Sequence, residues 1–174
     1  NEHLAGGGVT SALGDFSITA WINPNSGSQK HDIIVSRRSG TTAKGFQFDL
    51  RDLEGDSDGV HPFGIGLALQ GATNKTGQSS VTIPTGSWSH VGVTVDRDSG
   101  FKFYVDGEYD STVGLTSLST TNQGDDVTGS YNGTTQDPQL AIGAKVFGVG
   151  ANRSVHNGFH GYIDEVRIYG KVLT

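Results

Sequence analysis

Gly161-Tyr162-Ile163-Asp164-Glu165-Val166-Arg167-Ile168-Tyr169 is the stretch that decides how this chain is read. β-Branched and aromatic residues dominate it. Glycine stands at its head and again at Gly170, just past its end, so it reads as a strand. Strict period-two alternation puts Tyr162, Asp164, Val166 and Ile168 on one face. A carboxylate in such an apolar row must be hydrogen-bonded, ion-paired or metal-bound, because an unpaired buried charge costs too much. Asp164 therefore needs a partner.

Outward from that strand the same pattern recurs. Along 16–23, Phe16, Ile18, Ala20 and Ile22 face one way, Ser17, Thr19 and Trp21 the other, and Pro24 stops the run. A second strand over 32–38 is built on Ile33-Ile34-Val35, and 45–50 sets Phe46, Phe48 and Leu50 against Gln47 and Asp49. Further strands are expected over 63–70, 78–83, 88–96, 101–106, 108–113 and 139–146, with Asp106-Gly107 as a hairpin signal. Turns and loops fill 51–62, 71–77, 114–138 and 148–158. The excursion 114–138 is rich in Ser, Thr, Asn, Asp, Gln and Gly, and loops of that length are usually binding loops or disordered. About ten short strands without a convincing helix predict an all-β, two-sheet antiparallel sandwich or a barrel. No repeat of fixed period interrupts this reading.

Composition agrees. The 174 residues include 27 glycines and 4 prolines, and the hydrophobic fraction is 33%. One domain over 1–174 is expected, long enough to bury a core. Cysteine is absent, which excludes disulfides, thiolate metal sites and a cysteine nucleophile. The formal charge is −6. A nucleic-acid partner wants a basic face, so none is expected. No run approaches the roughly 18 apolar residues of a membrane span, so membrane insertion is not expected either. The chain starts at Asn1 without methionine, as a processed protein or an excerpt of a longer one does.

Four landmarks resemble those of laminin-G-like, concanavalin A-like jelly rolls. Phe16-Ser17-Ile18-Thr19-Ala20-Trp21-Ile22 is similar to the family's "f-t-i-s-a-W-v" strand. Gly86-Ser87-Trp88-Ser89-His90-Val91-Gly92-Val93-Thr94-Val95-Asp96 resembles its "W-x-H-v-a-v-t" strand, and Phe103-Tyr104-Val105-Asp106-Gly107 its "l-Y-v-D-G" hairpin. The final strand resembles "G-x-I-D-E-V-r-I-Y", and Lys171-Val172-Leu173-Thr174 the "r-a-L-s" that often follows. They occur in the family's order across nearly the whole chain. A usual upstream strand, "F-d-G-x-d-d-y-v", is missing or reduced to the glycine-rich start. The resemblance implies two packed antiparallel sheets. It does not settle function, since such sandwiches host lectins, adhesion modules and glycosidases.

The chemistry-bearing residues divide as follows. Glu108-Tyr109-Asp110 begins the E-x-D-x-x-E motif of one glycosidase branch, but no second glutamate follows, and a retaining glycosidase needs two carboxyls about 5–5.5 Å apart. No catalytic residue is expected, and a glycosidase is the remote reading. Asp56-Ser57-Asp58-Gly59 is half an EF-hand loop, read as a solvated acidic loop or as calcium ligands. In related sandwiches a structural calcium often joins the last strand to the N-terminal segment. The resemblance thus implies calcium at Asp164 with Glu2, against a hydrogen-bonded or Arg-paired carboxylate. Six histidines show no helical pair of zinc-ligand spacing. Sugar sites combine an aromatic face with hydroxyl-binding polar groups. Two clusters fit: Tyr131 with Asp125, Asp126, Asn132 and Asp137 in the long excursion, and Asn152, Arg153, His156 and Phe159 before the closing strand. Trp21 and Trp88, within strands, read as structural.

The expected function is a non-catalytic module outside the cell, or on a cell or virion surface, that binds a polysaccharide or glycan. The competing expectation is a structural or adhesive unit that contacts copies of itself or other surface proteins, with a strand donated by a neighbour.

Overall fold

The computed structural model describes residues 15–37, 45–53, 62–70, 75–114, 130–131, 134–135, 140–147 and 154–174. Among these residues every regular element is a strand. One five-stranded sheet contains β1 (Phe16–Pro24), β6 (Ser89–Asp96), β7 (Gly100–Val105), β8 (Glu108–Gly114) and β14 (Gly161–Tyr169), in the order β14-β1-β6-β7-β8. The second contains β2 (Ile33–Arg37), β3 (Gly45–Asp52), β4 (Phe63–Gln70), β5 (Lys75–Gln78) and β11 (Ala141–Ile142), in the order β11-β2-β3-β4-β5. Two small hairpins pair β9 (Ser130–Tyr131) with β10 (Thr134–Thr135), and β12 (Lys145–Phe147) with β13 (Ser154–His156). All pairings are antiparallel. The chain is thus the expected all-β, two-sheet sandwich of concanavalin A-like type.

The core lies between the sheets and follows from period-two alternation. Phe16, Ile18, Ala20 and Ile22 of β1 and Val91, Val93 and Val95 of β6 meet Phe46, Phe48 and Leu50 of β3 and Ile65, Leu67 and Leu69 of β4 in one apolar cluster. Phe16 and Phe46 stack across the gap at 5.6 Å. Burial of a phenylalanine or branched aliphatic side chain contributes roughly 1.5–3 kcal/mol each.

Three local expectations are corrected. The strand placed at 78–83 sits at Lys75–Gln78, and of the later residues only Ile83 bridges, to Phe63. Ser79 explains the early stop. It is buried, its N–H donates to Ile65 O and its Oγ accepts from Ile65 N, so the chain turns inward there. The strand placed at 139–146 is broken at Gly143, whose φ of 71° only glycine adopts freely. Part of the loop placed at 148–158 forms β13.

The decisive correction concerns β14. Thr19 of β1 pairs with Arg167 and Trp21 with Asp164, so two steps on β1 match three on β14. This is a bulge, and Glu165 occupies it at a φ of 49°, a left-handed conformation costly for a non-glycine residue. The bulge reverses parity. Ile163 before it and Val166 and Ile168 after it all pack on the core. Tyr162 and Asp164 point outward and are exposed. Asp164 is not a buried carboxylate.

The carboxylates buried among the described residues are Asp32, Asp49 and Asp52. Asp32 accepts from Gln29 N and His160 N at 3.1 Å each, and Nδ1 of His160 lies 2.9 Å from its Oδ2, which ties the segment before β14 to the segment before β2. Asp49, buried on the face of β3 away from the core, binds Arg51 Nε at 2.6 Å, His31 Nδ1 at 3.1 Å and the Gln47 amide. Gly66 on β4 leaves room for Arg51: a Cβ there would meet its Cγ at 2.2 Å.

Candidate functional site

The first sheet turns its other face to solvent, and the two ends of that face differ. At the Ser17 end the C-terminal segment folds back over β1. Ser17 Oγ donates to Lys171 O at 2.7 Å and accepts from Leu173 N at 2.9 Å, and Ser17 is fully buried. At the other end the face is open and aromatic. Trp21 is 41% exposed, Trp88 46% and Tyr162 70%.

Register arranges these groups in rows, because residues directly opposite on paired strands project to the same side. In the first row Trp21 stands between Asp164 on β14 and His90 on β6. The Trp21 and His90 rings lie 5.2 Å apart. Asp164 Oδ1 accepts from Glu165 N at 2.7 Å, a bond made possible by the bulge, and no described donor is bonded to Oδ2. Beyond His90 the row continues to Asp106, whose Oδ1 accepts His90 N–H at 2.7 Å and whose own N–H donates to His90 O. In the second row Tyr162 pairs with Asn23, and Trp88 comes one step beyond the Ile22–Ser89 pair. The Tyr162 and Trp88 rings lie 6.4 Å apart, tilted by 41°. On the other side of Trp21 the face dips at Gly92, between Thr19 and Tyr104, where a Cβ would have nothing nearer than 3.6 Å. Tyr104 packs edge-on against Tyr109 beyond it.

Chemically the two rows offer flat apolar rings at the centre and hydrogen-bonding groups at both flanks. The Asp164 carboxylate accepts only, while the imidazole of His90 presents a donor and an acceptor in its neutral form. Tryptophans are mostly buried residues, and both of these leave over 40% of their surface exposed on this face.

The residues expected to bind ligand fall as follows. Asp125, Asp126, Asn132, Asp137, Asn152 and Arg153 lie outside the described residues, and so does Glu2. Tyr131 lies on β9, paired with Thr134. His156 is exposed on β13, with Nε2 3.0 Å from Ser154 Oγ. Phe159 is half-buried, packs against the core and donates its N–H to Gly143 O. Its segment does reach the aromatic end, since the next residue, His160, accepts Asn25 N–H through its carbonyl and leads into Tyr162. Calcium takes six to eight oxygens. Of its two expected ligands only Asp164 is described, and no group of three or more His, Asp or Glu that could hold a metal occurs among the described residues.

Trp21 and Trp88, read from the sequence as structural, both stand partly exposed on this face. The signal was present: alternation already sets Trp21 opposite Phe16, Ile18, Ala20 and Ile22, on the polar face.

Comparison with known proteins adds the following. A family model described as the concanavalin A-like lectin/glucanases superfamily matches residues 3–174. No curated protein matches the chain. Among solved structures, a heptameric SAP-like pentraxin from Limulus polyphemus superposes with a TM-score of 0.63 at 16% identity, over 95% of this chain and 67% of that one. The CBM40 of Ruminococcus gnavus IT-sialidase gives 0.64 at 15%, over 94% and 79%; it has also been solved with α2,3 sialyllactose. Domain 4 of AbnA, a GH43 extracellular arabinanase from Geobacillus stearothermophilus, in complex with arabinotriose, gives 0.53 at 21%, over 95% and 64%. At these identities the likeness is one of fold.

Proposed function

The chain belongs to the concanavalin A-like lectin/glucanase superfamily, and we propose that it is a non-catalytic glycan-binding module that works outside the cell. The observation that carries this is the uncovered row Asp164–Trp21–His90, with Tyr162 and Trp88 closing the next row. A pyranose or furanose ring presents C–H groups on one side and hydroxyls around its rim. The indole takes the first and the flanking carboxylate and imidazole take the second. The neighbours solved with sialyllactose and arabinotriose support a sugar ligand by analogy of fold.

The non-catalytic reading has its own support. A glycosidase needs two carboxyls facing one bond. Asp110 spends its oxygens on Ser80 Oγ at 2.6 Å and on the N–H groups of Ser80 and Val81. It is structural, and Glu108 has no partner of the required kind on its strand.

Affinity electrophoresis against a panel of neutral and acidic polysaccharides tests the proposal. Binding to at least one is expected, and Trp21→Ala and Trp88→Ala should each weaken it at least about tenfold. Both side chains are exposed, so the thermal midpoint should move by only a few degrees. No retardation at millimolar sugar, with light scattering showing polymers, overturns the proposal in favour of an assembly unit.

A further inference from the structure

We infer that this face selects an uncharged glycan chain, at least two sugars long and laid along β1, and rejects sialylated and uronic chains. The inference rests on the glycan-binding reading and concerns the charge and length of what binds.

Charge flanks the first row. Its two ends are Asp164 and Asp106, and both are exposed. Trp21 and His90 fill the middle. The second row, Tyr162, Asn23 and Trp88, carries no charge. Neither row contains a lysine or arginine. Among the described residues Arg167, opposite Thr19 in the adjoining row, is already paired with Glu165. Lys102 stands opposite Thr94, two rows further on. A ring seated on Trp21 has the Asp164 carboxylate about 5 Å away, the spacing of side chains opposite each other across two strands. Between like charges at that distance, repulsion weakens binding by about fourfold at the dielectric of water, and by more where the bound ring displaces water. A carboxylate also accepts and never donates. Sugar hydroxyls satisfy Asp164 Oδ2, and a ligand carboxylate does not.

The length argument rests on the two rows. They are two residues apart along β1, which is about 7 Å, and each is centred on an aromatic pair. One sugar ring cannot cover both. A chain running along β1 places one unit on Trp21 and another between Trp88 and Tyr162. Past Trp21 in the other direction, Gly92 leaves the floor open for a third.

Titration calorimetry in EDTA at low ionic strength provides the test. The probes are cellohexaose, xylohexaose, laminarihexaose and arabinohexaose, with hexagalacturonate and 3′-sialyllactose as the acidic arm, and the matching monosaccharides. The best neutral hexamer is expected to bind at least tenfold tighter than either acidic probe and than its own monosaccharide. Raising salt should narrow the gap to the acidic probes, since exposed charges are screened. Asp164→Asn should narrow it to within about threefold. An acidic probe that binds wild type as tightly as the best neutral one overturns this inference and leaves the glycan-binding reading standing. A monosaccharide as tight as its hexamer overturns the length. If no probe binds, both fall together.

Discussion

At the scale of single residues, Asp110 shows how a side chain can look catalytic in the sequence and prove structural. It sits where β8 shifts register against β7 and reaches to Ser80 and Val81, in the segment that leaves the opposite sheet. Desolvation acts to raise its pKa. Hydrogen bonds from Ser80 side chain and backbone, from Val81 N and from Ser111 outweigh that, and the carboxyl is held below its ordinary value. The sign of the linkage follows. A group whose folded pKa is depressed adds stability that is present above its unfolded pKa and is lost as pH falls through the folded one. Asp110 is therefore expected to stabilise the protein fully at neutral pH and to lose that contribution in the acid range below about pH 4. Asp110→Asn should lower stability by about 1–2 kcal/mol at pH 7, with the difference from wild type shrinking at pH 3. Urea melts at the two pH values check it; an equal difference at both would contradict the linkage. Asp96 is held low in the same direction, by the Ser99 side chain and the Asp98 and Ser99 backbone. It turns the β6–β7 hairpin and adds to the same acid limb.

At the scale of elements, β14 combines two constraints that a periodic reading does not separate. One is the bulge. Apolar residues at 163, 166 and 168 are spaced three and then two apart, which is the trace of an inserted residue. The other is the entry at Gly161. Its φ is 147°, and a Cβ there would meet Asn23 O at 2.2 Å. Glycine is needed so that the last strand can close on β1. Gly161→Ala is expected to cost more than about 3 kcal/mol, since the clash is with backbone and cannot relax cheaply. At Gly158, three residues earlier, an added Cβ would meet nothing within 4 Å. Gly158→Ala should change stability by less than about 0.5 kcal/mol. Thermal melts of the two variants side by side decide it, and equal losses would contradict the close-approach account.

At the scale of the whole molecule, the sandwich makes one face of its first sheet available at one end and covers the other with its own C-terminal segment. On the second sheet the face away from the core carries the buried Asp49 and Gln47, tied to Arg51 and His31. The exposed aromatic end is thus specific to one sheet. Because Asp164 is exposed, water solvates its charge without a counter-ion, and withdrawing calcium is expected to cost little stability. The melting temperature is expected to differ by less than about 2 °C between excess EDTA and millimolar calcium. A clear drop in EDTA that Asp164→Asn abolishes would assign an ion to Asp164, and acidic chains would then be attracted to this face, because a bound cation inverts the local charge.

The sequence by itself determined the class of fold and most of the strands. Those depend on local alternation and turn chemistry, which are written residue by residue: Phe16 to Ile22, Val91 to Val95 and Asp106-Gly107 were all legible. It determined which family the chain resembles, through four landmarks in order. It also held the outward placement of Trp21, in the polar half of the β1 pattern. Only the tertiary structure decided where Asp164 points, because one residue in a left-handed conformation reverses every side chain on one side of it relative to the other. And only the tertiary structure brought Asp164, Trp21 and His90 into one row, since the register of three strands far apart in sequence is set by how the sheets pack and not by any one of them.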